Sequence, residues 1–342
     1  MIEPNSQVSS LHLPSPTADR QKASSGKPYM SISFDLDNLW SYQKTHGDPG
    51  WQTYPTYLDA LVETCLPVFK KHALQLTVFV VGQDAALPKN SNALKALSDA
   101  GHEIGNHSFR HEPWLHLYSP EELKKEFDET EESLEKATGK RPIGFRGPGF
   151  SLSHDVLREL ARRGYLYDAS TLPTFLGPLA RAYYFWSSKG LSAAEKQKRK
   201  QLFGKFSEGF KPIRPYRWKI GDGGHSLVEI PVTTIPIVRT PMHLSYIGYL
   251  AGHSLPLARM YMKFAVTLCR ITGVSPSFLL HPLDFLGADS VKELSFFPGM
   301  QLTTEFKLRL FAEVITYFQR YFELIPMKRH ARILLGETSK EK

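Results

Sequence analysis

Cysteine is nearly absent. Two residues, Cys65 and Cys269, in a chain of 342 exclude a disulfide framework and a cysteine-rich zinc site. Each lies in an apolar stretch and reads as a buried thiol. No run approaches the ~20 apolar residues that a membrane span requires. The opening MIEPNSQVSSLHLPSP lacks a basic region followed by an apolar one, so no secretory leader is visible and cytoplasmic residence is the expectation. No glycine-rich dinucleotide fingerprint follows the first strand, and no internal repeat is visible. Acid is scarce in one place only. From Lys189 to Lys219 ten basic residues are opposed by Glu195 and Glu208 alone, and this stretch carries the whole net charge of +8. A general nucleic-acid binder carries basic stripes elsewhere too, so no nucleic-acid partner is expected.

What remains is ordinary globular composition, 42% apolar and 22% charged. Residues 1–27 are rich in Ser, Pro, Gln and Lys and read as a disordered tail. Residues 28–342 read as one domain. Strands are predicted at 29–34, 75–81, 103–106, 143–146, 165–168, 227–232, 277–280 and from Glu323. Helices alternate with them at 57–71, 92–100, 119–139, 153–163, 255–272 and 303–321. Ser119-Pro-Glu-Glu122 is a capping box, and Ser153 is a second cap. The alternation lapses across 173–255, read as an irregular insertion. Strands alternating with helices imply a parallel sheet, and a distorted (β/α) barrel of about seven parallel strands is the expected fold.

The chemically interesting residues fall at the ends of predicted strands: Asp35 and Asp37, His107 and His111, Arg146, Asp168 and His281. A parallel barrel opens the C-terminal ends of its strands on one face. His107-Ser-Phe-Arg-His111 sets two imidazoles on one side of a helical turn, where both reach one metal; a solvent-facing pair is the plainer reading. Asp37 completes a two-histidine, one-carboxylate site. Asp35 and Asp37, two apart, repel one another unless a metal takes one and leaves the other as a base; the plainer reading is a loop pair or a helix cap. Arg146 is placed to pair with Asp35. Residues 38–54 read as a long loop on the same face. It brings Trp40, Tyr42 and Trp51, with Trp114 beyond, as platforms for sugar rings or simply as packing.

Together these motifs resemble the polysaccharide deacetylase family, the NodB-homology domain of carbohydrate esterase family 4, over about residues 28–170 and 275–330. The resemblance implies a deacetylase-like catalytic domain over 28–342. It implies Asp35 as catalytic base, and Asp37, His107 and His111 as ligands of one divalent ion, with zinc expected. Arg146-Gly-Pro-Gly149 is similar to the family's Arg-x-Pro motif, whose Arg steadies the base. Leu279-Leu-His281 matches the Leu-x-His that supplies the general acid, and Asp168 matches the Asp that orients it. The Gly149 N–H is the implied oxyanion donor. Two departures affect the pocket: Gly149 and Phe150 stand where the family often has Tyr, and Leu172 where it has Trp. The implied reaction is metal-assisted removal of an acetyl or formyl group from an amino sugar.

Two alternatives stay open, amide hydrolysis of a non-sugar substrate on the same fold and, against the α/β pattern, a non-haem iron enzyme; a carbohydrate-binding module on a dead scaffold is not suggested, since Asp35, Asp37, His107, His111 and His281 are all present. The basic stretch 189–219 begins with a capping box at Ser192-Ala-Ala-Glu195. It reads as a basic amphipathic helix with Leu202, Phe203 and Phe206 grouped on one side. Such a helix either packs its apolar stripe on the barrel or forms a flap toward an anionic membrane or a lipid-linked sugar.

Overall fold

The computed structural model describes residues 25–177, 206–220 and 225–337. Its centre is β1 (Tyr29–Leu36), an apolar strand buried along almost its whole length. It pairs in parallel with β2 (Thr77–Val80) and β8 (Ser277–Leu280), and its first half also pairs with β9 (Glu323–Ile325). Beyond β2 follow β3 (Glu103–Asn106), β4 (Gly144–Phe145), β5 (Tyr167–Asp168) and β7 (His225–Glu229), all parallel. β6 (Tyr216–Ile220) closes that side as the antiparallel arm of a hairpin with β7.

The strand ladder alone makes a half-barrel. The chain after β7 spans the gap. Ile230 N–H donates to the Asp168 carbonyl and Val232 N–H to that of Thr171, while Thr233 N–H donates to Ser277 at the start of β8. The expected distorted barrel is therefore completed by an extended but irregular segment, supplied from the stretch read as an insertion.

The helices follow the predicted spans closely: α2 (Leu58–Lys71), α4 (Ser91–Asp99), α5 (Pro120–Thr138), α6 (His154–Arg162), α8 (Leu255–Thr272) and α9 (Thr304–Tyr321). Their ends are set by side chains, as polar N-caps dictate. Ser119 Oγ accepts Glu122 N–H while Glu122 reaches back to Ser119 N–H, and Ser153 caps α6. Four shorter helices are also present among the described residues: α1 (Leu39–His46), α3 (Gly82–Ala86), α7 (Leu244–His253) and α10 (Met327–Leu335). α1 corrects the expected loop at 38–54. Asn38 Oδ1 accepts Leu39 N–H, and Gly47 ends the helix in the left-handed region. No helix among the described residues is long and apolar enough to cross a membrane.

Most of the disordered tail read at the start, and the amphipathic helix read near 192–206, lie outside the described residues. Within the basic stretch, Lys211 pairs with Glu208, Arg214 donates to the Thr272 carbonyl and Arg217 to that of Leu334.

The main core packs α2, α8 and α9 on one face of β1, β2 and β8. Phe69 is central to it, with edge-on contacts to Phe34, Phe285 and Phe311. At the other end of β1, α10 buries His330, whose Nδ1 is 3.0 Å from Ser31 Oγ. Burial pushes this imidazole down to about 4. The unfolded chain protonates it near pH 6.5, so the native state is favoured above that pH and loses this advantage as pH falls from about 6.5 to about 4. The expected outcome is a fall in unfolding free energy over that window, on the order of 3 kcal/mol from this group, partly removed in His330→Gln. Urea titrations at pH 7 and pH 4.5 on both proteins measure it.

Candidate metal and catalytic centre

Five parallel strands of the central sheet, β1, β3, β4, β5 and β8, deliver polar residues at their C-terminal ends. Asp35 is the penultimate residue of β1, and Asp37 follows that strand. His107 follows β3, Arg146 follows β4, Asp168 ends β5 and His281 follows β8. The parallel register puts these ends on one face.

Asp37, His107 and His111 come together, with one ligand atom from each within 4.8 Å of the others. His111 Nε2 lies 3.0 Å and His107 Nε2 3.4 Å from Asp37 Oδ1. Burial disfavours the charge on Asp37, but the imidazoles of His111 and His107 beside it hold its carboxyl well below the usual range. His107 moves the other way. Burial pulls its pKa down, and Asp37 outweighs this and raises it.

The two histidines do not lie on a helical turn. Residues 107–111 form a loop with Ser108 at φ +61° and His111 at φ +53°. The loop is held rigidly. Asn106 Oδ1 accepts Ser108 N–H at 2.7 Å, an Asx turn that pays for the left-handed residue. Ser108 Oγ accepts His111 N–H. From α5, Glu126 Oε1 accepts the N–H groups of Phe109 and Arg110 at 2.8 and 2.7 Å, and Arg110 Nη1 closes on its other oxygen.

The residues fit a divalent ion. Asp37 Oδ1 is buried with no hydrogen-bond donor directed at it, so a buried carboxylate oxygen is left for a cation. His107 Nδ1 donates to the Arg146 carbonyl at 2.6 Å, which turns the Nε2 lone pair toward Asp37, the usual outer-sphere arrangement of a metal-binding histidine. Two imidazoles and a carboxylate suit zinc and several neighbouring ions.

Arg146 is fully buried and fixed on three sides. Its Nε donates to the Ala169 carbonyl at 3.0 Å, and its Nη1 to Ser33 Oγ at 2.8 Å and to Asp35 Oδ1 at 2.7 Å. The guanidinium stacks over Phe79 at 4.6 Å. Gly149 lies exposed on the turn after β4 at φ +58°, a conformation suited to glycine.

Asp168 and His281 are not brought together. The chain after β7 runs between β5 and β8 and separates them. Asp168 Oδ1 accepts Ser170 Oγ–H at 2.6 Å, and across the ladder it faces Glu229. Glu229 was missed by sequence reasoning. Its Oε1 accepts Thr171 Oγ–H at 2.6 Å and its Oε2 accepts Trp218 Nε1–H at 2.9 Å. Burial raises the pKa of both carboxyls, and Asp168 raises that of Glu229 further, so the pair holds a proton rather than two charges.

Trp40 is not a platform. It is buried, and its Nε1 donates to Asp84 Oδ1 at 2.9 Å. Tyr42, Trp51 and Trp114 remain half-buried at the surface. Asp84, also missed, is a buried post beside the loop of His107 and His111. It accepts Asn38 Nδ2 at 2.7 Å and Asn90 Nδ2 at 3.1 Å as well, and Asn38 adjoins Asp37. Tyr57 Oη donates to the Asp37 carbonyl at 2.5 Å. A charged residue on a buried stripe was the available signal for Glu126, between Leu123 and Phe127, and for Glu229 in an apolar strand. Asp84 had no such pattern.

Comparison with known proteins follows this geometry. The family described as polysaccharide deacetylase matches residues 43–167. The chain is 32% identical over 148 residues to the peptidoglycan deacetylase-like protein FGM2 of Gibberella zeae, covering 43% of this chain and 39% of that one. It is 36% identical over 110 residues to the peptidoglycan-N-acetylmuramic acid deacetylase PdaA of Bacillus subtilis, covering 32% and 41%. The matches thus span about two fifths of those relatives. A solved structure of a candidate polysaccharide deacetylase from Mycobacterium smegmatis superposes over 90% of both chains with a TM-score of 0.58 at 18% identity, which shows a shared fold.

Asp84→Ala would leave the buried donors of Asn38, Trp40 and Asn90 unpaired, at about 1–3 kcal/mol for each one not rescued by water. The expected outcome in urea denaturation is a loss of at least about 2 kcal/mol. An unchanged midpoint would show that the post carries no load.

Proposed function

We propose a reaction for a chain that belongs, through residues 43–167, to the polysaccharide deacetylase family: metal-dependent removal of an N-acetyl or N-formyl group from an amino sugar of a polysaccharide, oligosaccharide or lipid-linked glycan. The observation that carries the reading is the convergence of Asp37, His107 and His111 beside the Asp35–Arg146 pair. The relatives named for peptidoglycan deacetylation support a glycan as substrate.

Asp37, His107 and His111 would hold the ion, and a divalent ion there supplies Lewis acidity toward a water and an acyl oxygen. The chain's own residues do the rest. Asp35 takes the proton of the attacking water, and Arg146 fixes the direction of its carboxylate through Oδ1. The other Asp35 oxygen is left to receive the proton. The N–H of the exposed Gly149 donates a hydrogen bond to the acyl oxygen as negative charge develops on it. His281, level with Asp35 on the neighbouring strand, protonates the leaving amine. The half-buried Trp51, Tyr42 and Trp114 offer faces to sugar rings.

His111→Ala is expected to lose both bound metal and activity. Elemental analysis of protein purified with zinc checks this, and full occupancy would sink the ligand assignment. Asp35→Asn is expected to keep the metal while activity falls by ~10²-fold or more, since a base is lost and the ligands stay. Loss of metal in that variant would make Asp35 a ligand instead. His281→Ala should slow hydrolysis of an N-acetylated chitooligosaccharide far more than that of 4-nitrophenyl acetate, whose leaving group needs no proton. Equal losses would leave His281 a structural role.

A further inference from the structure

At the end of the barrel away from the candidate metal site lies a pocket of about 900 Å³. Its place follows from the parallel sheet. Gln75 precedes β2, His102 precedes β3, and Leu324 on β9 lies beside Met30 at the start of β1. The pocket therefore opens where these strands begin, whereas Asp37, His107 and His111 follow the ends of theirs. Leu66 on α2, Leu74 in the turn after it, Leu324 and Pro326 give the pocket apolar walls. Lys70 from the last turn of α2 and Lys328 and Arg329 from the first turn of α10 give it three cations. Among the described residues no carboxyl group lines it.

We propose that this pocket binds a small organic phosphate ester, its phosphate held by Lys70, Lys328 and Arg329 and its apolar body lying on the leucine walls. The volume is that of a small-molecule site, which spans roughly 300–1,000 Å³. Cations that converge on a concave apolar wall repel one another and focus a positive potential into it. A dianion answers that potential better than a single carboxylate does, and phosphate oxygens accept from several donors at once.

The charges around the pocket leave it positive. Glu323 pairs with Arg329 Nη1 at 3.0 Å, so one of the three cations is partly answered. The peptide N–H of Lys328 donates to Glu103 Oε2 at 2.9 Å, and Glu103 also accepts from the hydroxyls of Thr77 and Tyr167. Burial raises the pKa of Glu103, which weakens its charge. Behind the wall, the Lys140 ammonium donates to the carbonyls of Ser98 and His102. Burial lowers its pKa, and the nearby Lys328 lowers it further, as one cation does to another. His102 is buried in the wall, and its Nδ1 accepts Leu76 N–H, so its proton sits on Nε2. Burial, aided by Lys140, holds the imidazole neutral, down at about 4. Among the described residues its Nε2 has no hydrogen-bond partner. The wall thus holds a buried donor without an acceptor and a cation behind it, and both favour an anion in the pocket.

The test is NMR of the full ¹⁵N-labelled, zinc-loaded chain titrated with phenyl phosphate. Saturable shifts are expected at the amides of Lys328 and Arg329 and at the His102 ring, signals that report this pocket whether or not the ester also reaches the zinc. Phenyl phosphate is expected to bind about tenfold or more tighter than inorganic phosphate, since its ring buries apolar surface, and phenol is expected to leave these signals in place. Lys70→Gln, at an exposed position, and Lys328→Gln are each expected to weaken binding by about tenfold. Phosphatidylcholine vesicles carrying phosphatidic acid separate the two sources of such a phosphate: displacement of phenyl phosphate by them assigns the pocket to a lipid head group, and retention assigns it to a free ester. No saturable shift at these residues, binding of phenol or inorganic phosphate as tight as that of phenyl phosphate, or unchanged affinity in both variants would overturn the proposal. None of these readouts depends on turnover at the mouth.

Discussion

Asp37 is a half-buried carboxylate whose Oδ1 is shut off from water between two imidazoles, and the arrangement of the mouth follows from keeping it there. A buried charge is tolerated only when it is paired. Asp37 is paired through His107 and His111, which requires the loop after β3 to stay folded with two residues in the left-handed region. That loop is in turn clamped by Asn106 from below and Glu126 from α5. On the other side, Asp84 and Tyr57 hold the backbone around Asp37 and Asn38. Buried acceptors on neighbouring elements thus keep the three candidate ligands in place before any ion arrives, the pre-organisation that a metal site needs.

Charge is also kept apart across the barrel mouth. Arg146 commits its guanidinium to Asp35, Ser33 and a main-chain carbonyl, leaving Asp35 directed and dry. On the β5–β7 side, Asp168 and Glu229 are joined to each other and to hydroxyl and indole donors. On the β8 side, Ser245 and Asp284 attend His281. Asp35 and His281, the proposed proton acceptor and proton donor, therefore flank the candidate metal site on adjacent strands, each with its own partners.

Much of this was legible in the sequence because strand ends are legible. The short strands β1, β3, β4 and β8, bounded by the capping serines of α5 and α6, were readable, and the residues after them supply Asp37, His107, Arg146 and His281. Contacts set by the path of the chain after β7 were not legible. That path decides that Asp168 meets Glu229 and not His281, and no local periodicity reports it. The loop geometry at 107–111 was hidden for a related reason: a spacing of four suits a helical turn, but Asn106 and Glu126 impose another conformation from outside the segment. For Trp40 the sequence left platform and packing open, because its burial partner, Asp84, is remote in sequence and sits on a five-residue helix without a pattern.

The central claim is that one divalent ion sits among Asp37, His107 and His111 in front of Asp35. A crystal of the full chain grown with zinc, with anomalous data collected on both sides of the zinc absorption edge, tests it most directly. The account predicts a single strong anomalous peak in contact with one carboxylate oxygen of Asp37 and with both Nε2 atoms, and Asp35 outside its coordination sphere. A peak that includes Asp35 as a ligand, or a zinc-loaded crystal with no peak among these three residues, would contradict it.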